Sequence, residues 1–131
     1  MNEEYKVWLR YADENLSSAR LLFDSQYYNT CLQNVQQSIE KNLKALVIRK
    51  SGNIKRTHSI NDLKLMLKEI GILINLTDDE IELIDSIYLP SKYPLGNVLP
   101  YDYPGPDICI TCIKIADKVM EFVNGHIGES T

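Results

Sequence analysis

The 131-residue chain reads as an all-α protein, an antiparallel bundle of about five helices with a long Pro/Tyr-rich loop before the last one. Three observations predict this. Apolar residues recur at alternating three- and four-residue steps through most of the sequence, which is the spacing of one helix face. Helix-stop and helix-start signals fall between those stretches rather than inside them. All five prolines, at 90, 94, 100, 104 and 106, crowd into one stretch near the C-terminal end and leave the remainder free of proline.

From about Glu3 to Asp24, residues Tyr5, Trp8, Leu9, Ala12, Leu16, Ala19, Leu22 and Phe23 mark the inner face of a first helix. A short turn at Ser25-Gln26-Tyr27-Tyr28 leads into a second, whose stripe is Cys31, Leu32, Val35, Ile39, Leu43, Leu46 and Val47. So short a link between two long helices makes them antiparallel neighbours. Ser51-Gly52-Asn53 ends the second helix, and Arg49 and Lys50 just before it suit the negative end of the macrodipole. After a loop through Arg56, Thr57 or Ser59 can cap a third helix in which Ile60, Leu63, Met66, Leu67 and Ile70 face inward and Gly71 marks the stop. Thr77-Asp78-Asp79-Glu80 has the capping-box pattern and starts a fourth helix through Tyr88.

Between Leu89 and Pro106 the prolines, with Gly96 and Gly105, predict a long irregular loop. Loops of this length are uncommon and often functional, and Tyr88, Tyr93, Tyr101 and Tyr103 give it more aromatic character than disordered segments carry. A last helix runs from about Asp107 to Asn124 with Ile108, Cys112, Ile115, Val119 and Phe122 inward, and a tail over 125–131 is expected to fray.

Length and composition narrow the function classes. A chain of 131 residues fits a single domain that buries its core without disulfide or metal staples. Lys and Arg total 14 against 18 for Asp and Glu, so the net charge of -4 provides no global basic field for nonspecific nucleic-acid binding. Any polyanion site is therefore local. No apolar run approaches the roughly 20 residues that span a bilayer, so no membrane partner is expected. The acidic start Met1-Asn2-Glu3-Glu4 lacks the basic-then-apolar order of a signal peptide, which predicts a cytoplasmic protein. Three cysteines form no disulfide framework in that setting. Cys109-Ile110-Thr111-Cys112 supplies two of the four ligands a structural zinc takes, so both thiols read as buried core and no metal or cofactor is expected.

The stretch Gln36-Gln37-Ser38-Ile39-Glu40-Lys41-Asn42-Leu43-Lys44-Ala45-Leu46 is helical in pattern yet more polar than a packing face requires. It resembles the second helix of the HEPN family. The resemblance extends to Trp8-Leu9-Arg10-Tyr11-Ala12 with Leu16 and Ala19 in the first helix, to Thr57-His58-Ser59-Ile60-Asn61-Asp62-Leu63, and to Lys92-Tyr93-Pro94, four landmarks in order across 1–131. It implies one helical domain, pairing of two copies into a homodimer, and a groove or dimer seam lined by the polar face of the second helix. It also implies a minimal nucleotidyltransferase as partner.

The departures from the family pattern matter as much. Its ribonucleases carry an arginine and a histidine separated by four to six residues, the one steadying phosphate and the other moving a proton. Here eight residues separate Arg49 from His58, Arg56 is too close, and no arginine follows it. His58 is followed by Ser59 and Ile60, so the His-x-Tyr of members modified on tyrosine is absent as well. Asn15 stands where many relatives have Asp, and Lys92 where many have Arg, which keeps the charge but loses the bidentate fork.

Site candidates follow from these landmarks. On spacing alone, Gln37, Lys41 and Lys44 share a face and Glu40 precedes Lys44 by one turn, the pattern of a solvated, ion-paired helix surface. His58, beside Lys55 and Arg56, either caps the third helix, bonds a loop carbonyl or acts on phosphate near neutral pH. Lys92 and Tyr93 pair a cation with a ring on which a base can stack. The expected site is nucleotide-binding and joins His58, Lys92, Tyr93, Gln37, Lys41 and Lys44, with no catalytic residue. The functional expectation is a noncatalytic HEPN module binding nucleotide or RNA phosphate in a toxin-antitoxin-like pair. A diverged metal-independent ribonuclease using His58 with Arg56 or Lys92, and a structural dimerisation domain, stand as alternatives.

Overall fold

A computed structural model describes the backbone of residues 3–92 and 103–128, and the side chains of all of these but 89–92. Among the described residues there are five helices and no strands: α1 Glu4–Asp24, α2 Tyr28–Ser51, α3 Ile60–Glu69, α4 Asp78–Lys92 and α5 Pro106–Ile127. The second is the hub. It packs against each of the other four, most extensively against α1 and α5.

The local signals work through identifiable bonds. Gln26 takes a left-handed conformation (φ 66°) in the tight α1–α2 turn, where Tyr27 donates its backbone N–H to Leu22 at 2.8 Å. Gly52 ends α2 at φ 89°, a backbone angle that glycine adopts without steric cost, and donates back to Ile48. Of the two proposed caps for α3, Ser59 serves: its hydroxyl accepts from the Asp62 amide at 3.1 Å, while the Thr57 hydroxyl accepts from the Ser59 amide. At α4 the capping box is reciprocal, the Thr77 hydroxyl accepting from the Glu80 amide and the Glu80 carboxylate from the Thr77 amide. Glu80 also holds Lys118 of α5 at 2.8 Å, and that hydrogen bond, more than the one from Thr77, lowers its pKa.

The core gathers one stripe from each helix. Ala12, Leu16 and Ala19 of α1 meet Val35, Ile39, Leu43 and Leu46 of α2, and Ile84 of α4, Leu63 of α3 and Val119 of α5 complete it, each buried. Arg20 and Asp117 form an ion pair that ties α1 to α5 at the surface. Cys31, Cys109 and Cys112 are all buried free thiols. Burial pushes Cys31 and Cys112 up to about 12, which leaves them inert as nucleophiles or metal ligands at neutral pH.

Two helix ends differ from the sequence reading. α4 continues past Tyr88 through Pro90 to Lys92. A proline this near the C-terminal end removes one amide bond in the final turns and does not have to stop the helix. α5 starts on Pro106, whose missing N–H falls where no intrahelical partner exists, and it runs on to Ile127 rather than ending at Asn124. There Phe122 and His126 pack ring on ring at 4.4 Å, and Ile127 lies against the core, so the final turn has contacts that oppose fraying. Of the stretch predicted as a loop, 89–92 and Pro106 are helical, and 93–102, including Tyr93, lie outside the described residues.

Candidate functional site

The polar face of α2 is not a solvated surface. Gln36, Glu40 and Lys44 are buried, at 1%, 2% and 7% exposure. The spacing pairs Glu40 with Lys44 but groups Lys44 with Gln37 and Lys41, which are only half-buried; a helix surrounded by four others has no fully solvated side, and that arrangement is tertiary information.

The three buried residues form a connected network. Glu40 is its centre, accepting from Lys44 Nζ at 2.7 Å and from Gln36 Nε2 at 3.1 Å. Gln36 also reaches the backbone carbonyl of His58 at 3.4 Å, and Gln37 donates to the Gln36 side-chain oxygen at 2.7 Å. Lys44 lies over the Trp8 ring at 5.3 Å, so its cation sits between a carboxylate and an aromatic face. One turn away, Lys41 donates to Asn15 at 2.9 Å and lies over Tyr11, and Asn15 passes a bond on to Asn34. The Asn15 position of the first helix is thus the anchor of the Lys41 ammonium.

His58 meets this network from the loop before α3. Its Nδ1 is 3.4 Å from Glu40 Oε2, and its ring stacks on Tyr88 of α4 with centroids 5.0 Å apart and planes 14° from parallel. The loop is held on both sides of it. Thr57 Oγ1 donates to Asp62, and Asp85 of α4 accepts from the Ile60 and Asn61 amides at 2.7 and 3.1 Å. An internal carboxylate therefore already occupies the N-terminal end of α3, the place where an external anion is otherwise attracted. With Nδ1 turned to a buried carboxylate and the side chain about half exposed, His58 presents its remaining edge to solvent. That edge opens on a cleft of about 340 Å³ lined by Thr57, His58, Ser59, Asp85 and Tyr88.

The candidates thus separate. His58, Gln37 and Lys44 are linked through Gln36 and Glu40, whereas Lys41 belongs to the neighbouring Asn15 cluster. The ammonium of Lys44 is enclosed by Glu40 and Trp8, so its placement suits holding the carboxylate. Lys92 ends α4 one turn beyond Tyr88, and Tyr93 is outside the described residues. Gln36, Glu40, Asp85 and Tyr88 are members absent from the site expected from the sequence. Tyr88 was visible as an aromatic at a helix end, but only the docking of α4 against the His58 loop reveals the stack.

The profile of the HEPN domain matches residues 5–126. The chain belongs to the HEPN domain family. A protein of Methanocaldococcus jannaschii named "Putative toxin MJ1304" is 28% identical over 138 residues, which cover 95% of this chain and 88% of that one. The crystal structure of ST0689, described as an archaeal HEPN homologue, superposes with a TM-score of 0.71 at 30% identity over 97% of this chain and 99% of the other. TT1696 from Thermus thermophilus shares the fold at a TM-score of 0.78 and 24% identity, over 95% and 99% of the two chains. The HEPN fold thus extends across the whole described bundle, and no described helix is long and apolar enough to cross a membrane.

Proposed function

We propose that this HEPN protein is a noncatalytic, phosphate-ligand-binding module of a toxin-antitoxin-like pair. It takes a nucleotide or RNA phosphate at the His58–Tyr88 edge and acts with a nucleotidyltransferase partner. The observation that carries this reading is the packed imidazole: Glu40 lies 3.4 Å from Nδ1, Tyr88 supplies a near-parallel aromatic face, and the cleft lies at the exposed edge. Lys55 and Arg56, both exposed, bring positive charge beside it, and Lys92, four residues beyond Tyr88 in the sequence, is a further cation of the proposed site. The name of the Methanocaldococcus relative supports the toxin-antitoxin setting. Absence of the arginine–histidine spacing from the sequence supports a noncatalytic role.

A second reading rests on the same contact, because a buried carboxylate behind an imidazole is also how a proton-transferring histidine is oriented. A metal-free RNA cleavage assay separates the two. Purified protein is expected to cleave no faster than buffer, with His58→Ala indistinguishable from the parent; cleavage that His58→Ala abolishes would establish the diverged ribonuclease instead.

The proposal includes a homodimer. Val7 and Tyr11 on the outer side of α1 are 50% and 53% exposed, and Tyr27 at the α1–α2 turn is 60% exposed, an apolar surface that pairing would cover. Sedimentation at micromolar concentration is expected to give twice the 15.0 kDa chain mass, and a purely monomeric species would rule this element out.

A further inference from the structure

A second cleft, of about 380 Å³, opens between α1, α2 and α5. Lys6, Arg10 and Asp13 line it from α1, Asn42 from α2, and Met120 and Asn124 from α5. Asn42 is 1% exposed, and its Nδ2 is the buried side-chain nitrogen without a hydrogen-bond partner among the described residues. Nearly all buried polar groups in folded proteins are paired, and leaving one unpaired is destabilising. Leucine has the same branched outline and would avoid that penalty. An amide retained there, at the wall of a cleft, fits a donor waiting for a partner from outside the chain.

The chemistry of that partner follows from the lining. Lys6 holds Glu3 in a surface ion pair at 2.6 Å, with both side chains more than half exposed, a contact that solvent screens and a ligand can replace. No ion pair among the described residues includes Arg10 or Asp13. Two cations against one carboxylate leave the wall itself net positive. The planar fork of Arg10 suits an oxyanion, and Met120 offers an apolar contact for what the oxyanion is attached to. The volume lies at the small end of ligand pockets and is too small for a polynucleotide.

We infer that the α1–α2–α5 cleft binds a small oxyanion, a carboxylate or phosphate-monoester group on a compact apolar body, with the Asn42 amide and the Arg10 guanidinium as its donors. This site is separate from the His58 cleft and does not depend on what binds there. Titrations of the full chain with acetate, butyrate and inorganic phosphate, followed through the Asn42 side-chain NH₂ resonances and backbone amides of α1 and α5, test it. At least one probe is expected to move these resonances saturably, with butyrate above acetate identifying a carboxylate ligand and phosphate above both identifying a phosphate ester. Arg10→Ala, at an exposed position, is expected to weaken that binding by about tenfold or more, and Arg10→Lys to weaken it less. Asn42→Leu is expected to abolish it while raising the thermal midpoint of the unliganded protein. The inference is overturned if none of the three probes saturates, or if Arg10→Ala binds as tightly as the parent.

Discussion

Replacing Lys44 by methionine is expected to destabilise the protein by about 3 kcal/mol, because the change keeps the stem over Trp8 but strands the Glu40 carboxylate in the interior. Both side chains of the pair are largely withdrawn from water, at 9% and 3% exposure, so this is not a screened surface contact. Removing one partner of a buried pair typically costs about 3–5 kcal/mol, and the lower end applies here since Gln36 still donates to the other carboxylate oxygen. For a domain of this size the midpoint of thermal unfolding should fall by about 10 °C. Adding Glu40→Gln should recover much of the loss, as no unpaired charge then remains. A loss below about 1 kcal/mol in the single variant would mean that the pair is hydrated and the network is not a structural unit.

The second large effect is expected at Ile39, which is fully buried on α2 between Val35 and Leu43. Ile39→Ala removes apolar surface and leaves a cavity where helices on several sides converge, at a cost of about 2–5 kcal/mol. Ile39→Val should cost about 0.5–1.5 kcal/mol and Val7→Ala, at a half-exposed position, less than about 0.5 kcal/mol. Urea unfolding monitored by circular dichroism gives all three. Similar losses at Ile39 and Val7 would contradict the placement of the core along α2.

These two variants also mark what the sequence could and could not convey. The apolar stripe around Ile39 is a matter of spacing, and spacing is local; the same holds for the Ser59 cap and the Thr77–Glu80 box, whose bonds form within one turn. The surroundings of Glu40 and Lys44 are not local. Their one-turn separation is equally compatible with an exposed ion pair, and only the packing of α1, α3, α4 and α5 around α2 encloses them. The same reasoning applies to His58, whose partners Glu40 and Tyr88 are 18 and 30 residues away, and to Asn42, whose unpaired amide is defined by what three helices fail to offer it. Pro90 illustrates the reverse case. A strong local signal for a helix end was overridden within the last turns of α4.

The central claim is that the His58 edge binds phosphate ligands without cleaving them. Calorimetric titration of a nucleotide and a short single-stranded RNA into the parent, His58→Ala, Tyr88→Ala and Lys92→Ala proteins, each at two salt concentrations, tests it most directly. The account predicts measurable binding by the parent and recovery of the RNA intact. Loss of the ring face in Tyr88→Ala should weaken binding by about 1–3 kcal/mol with little change in salt dependence, while Lys92→Ala should weaken it and flatten the salt slope. Undiminished affinity in His58→Ala and Lys92→Ala together would contradict the account and move the ligand elsewhere on the bundle.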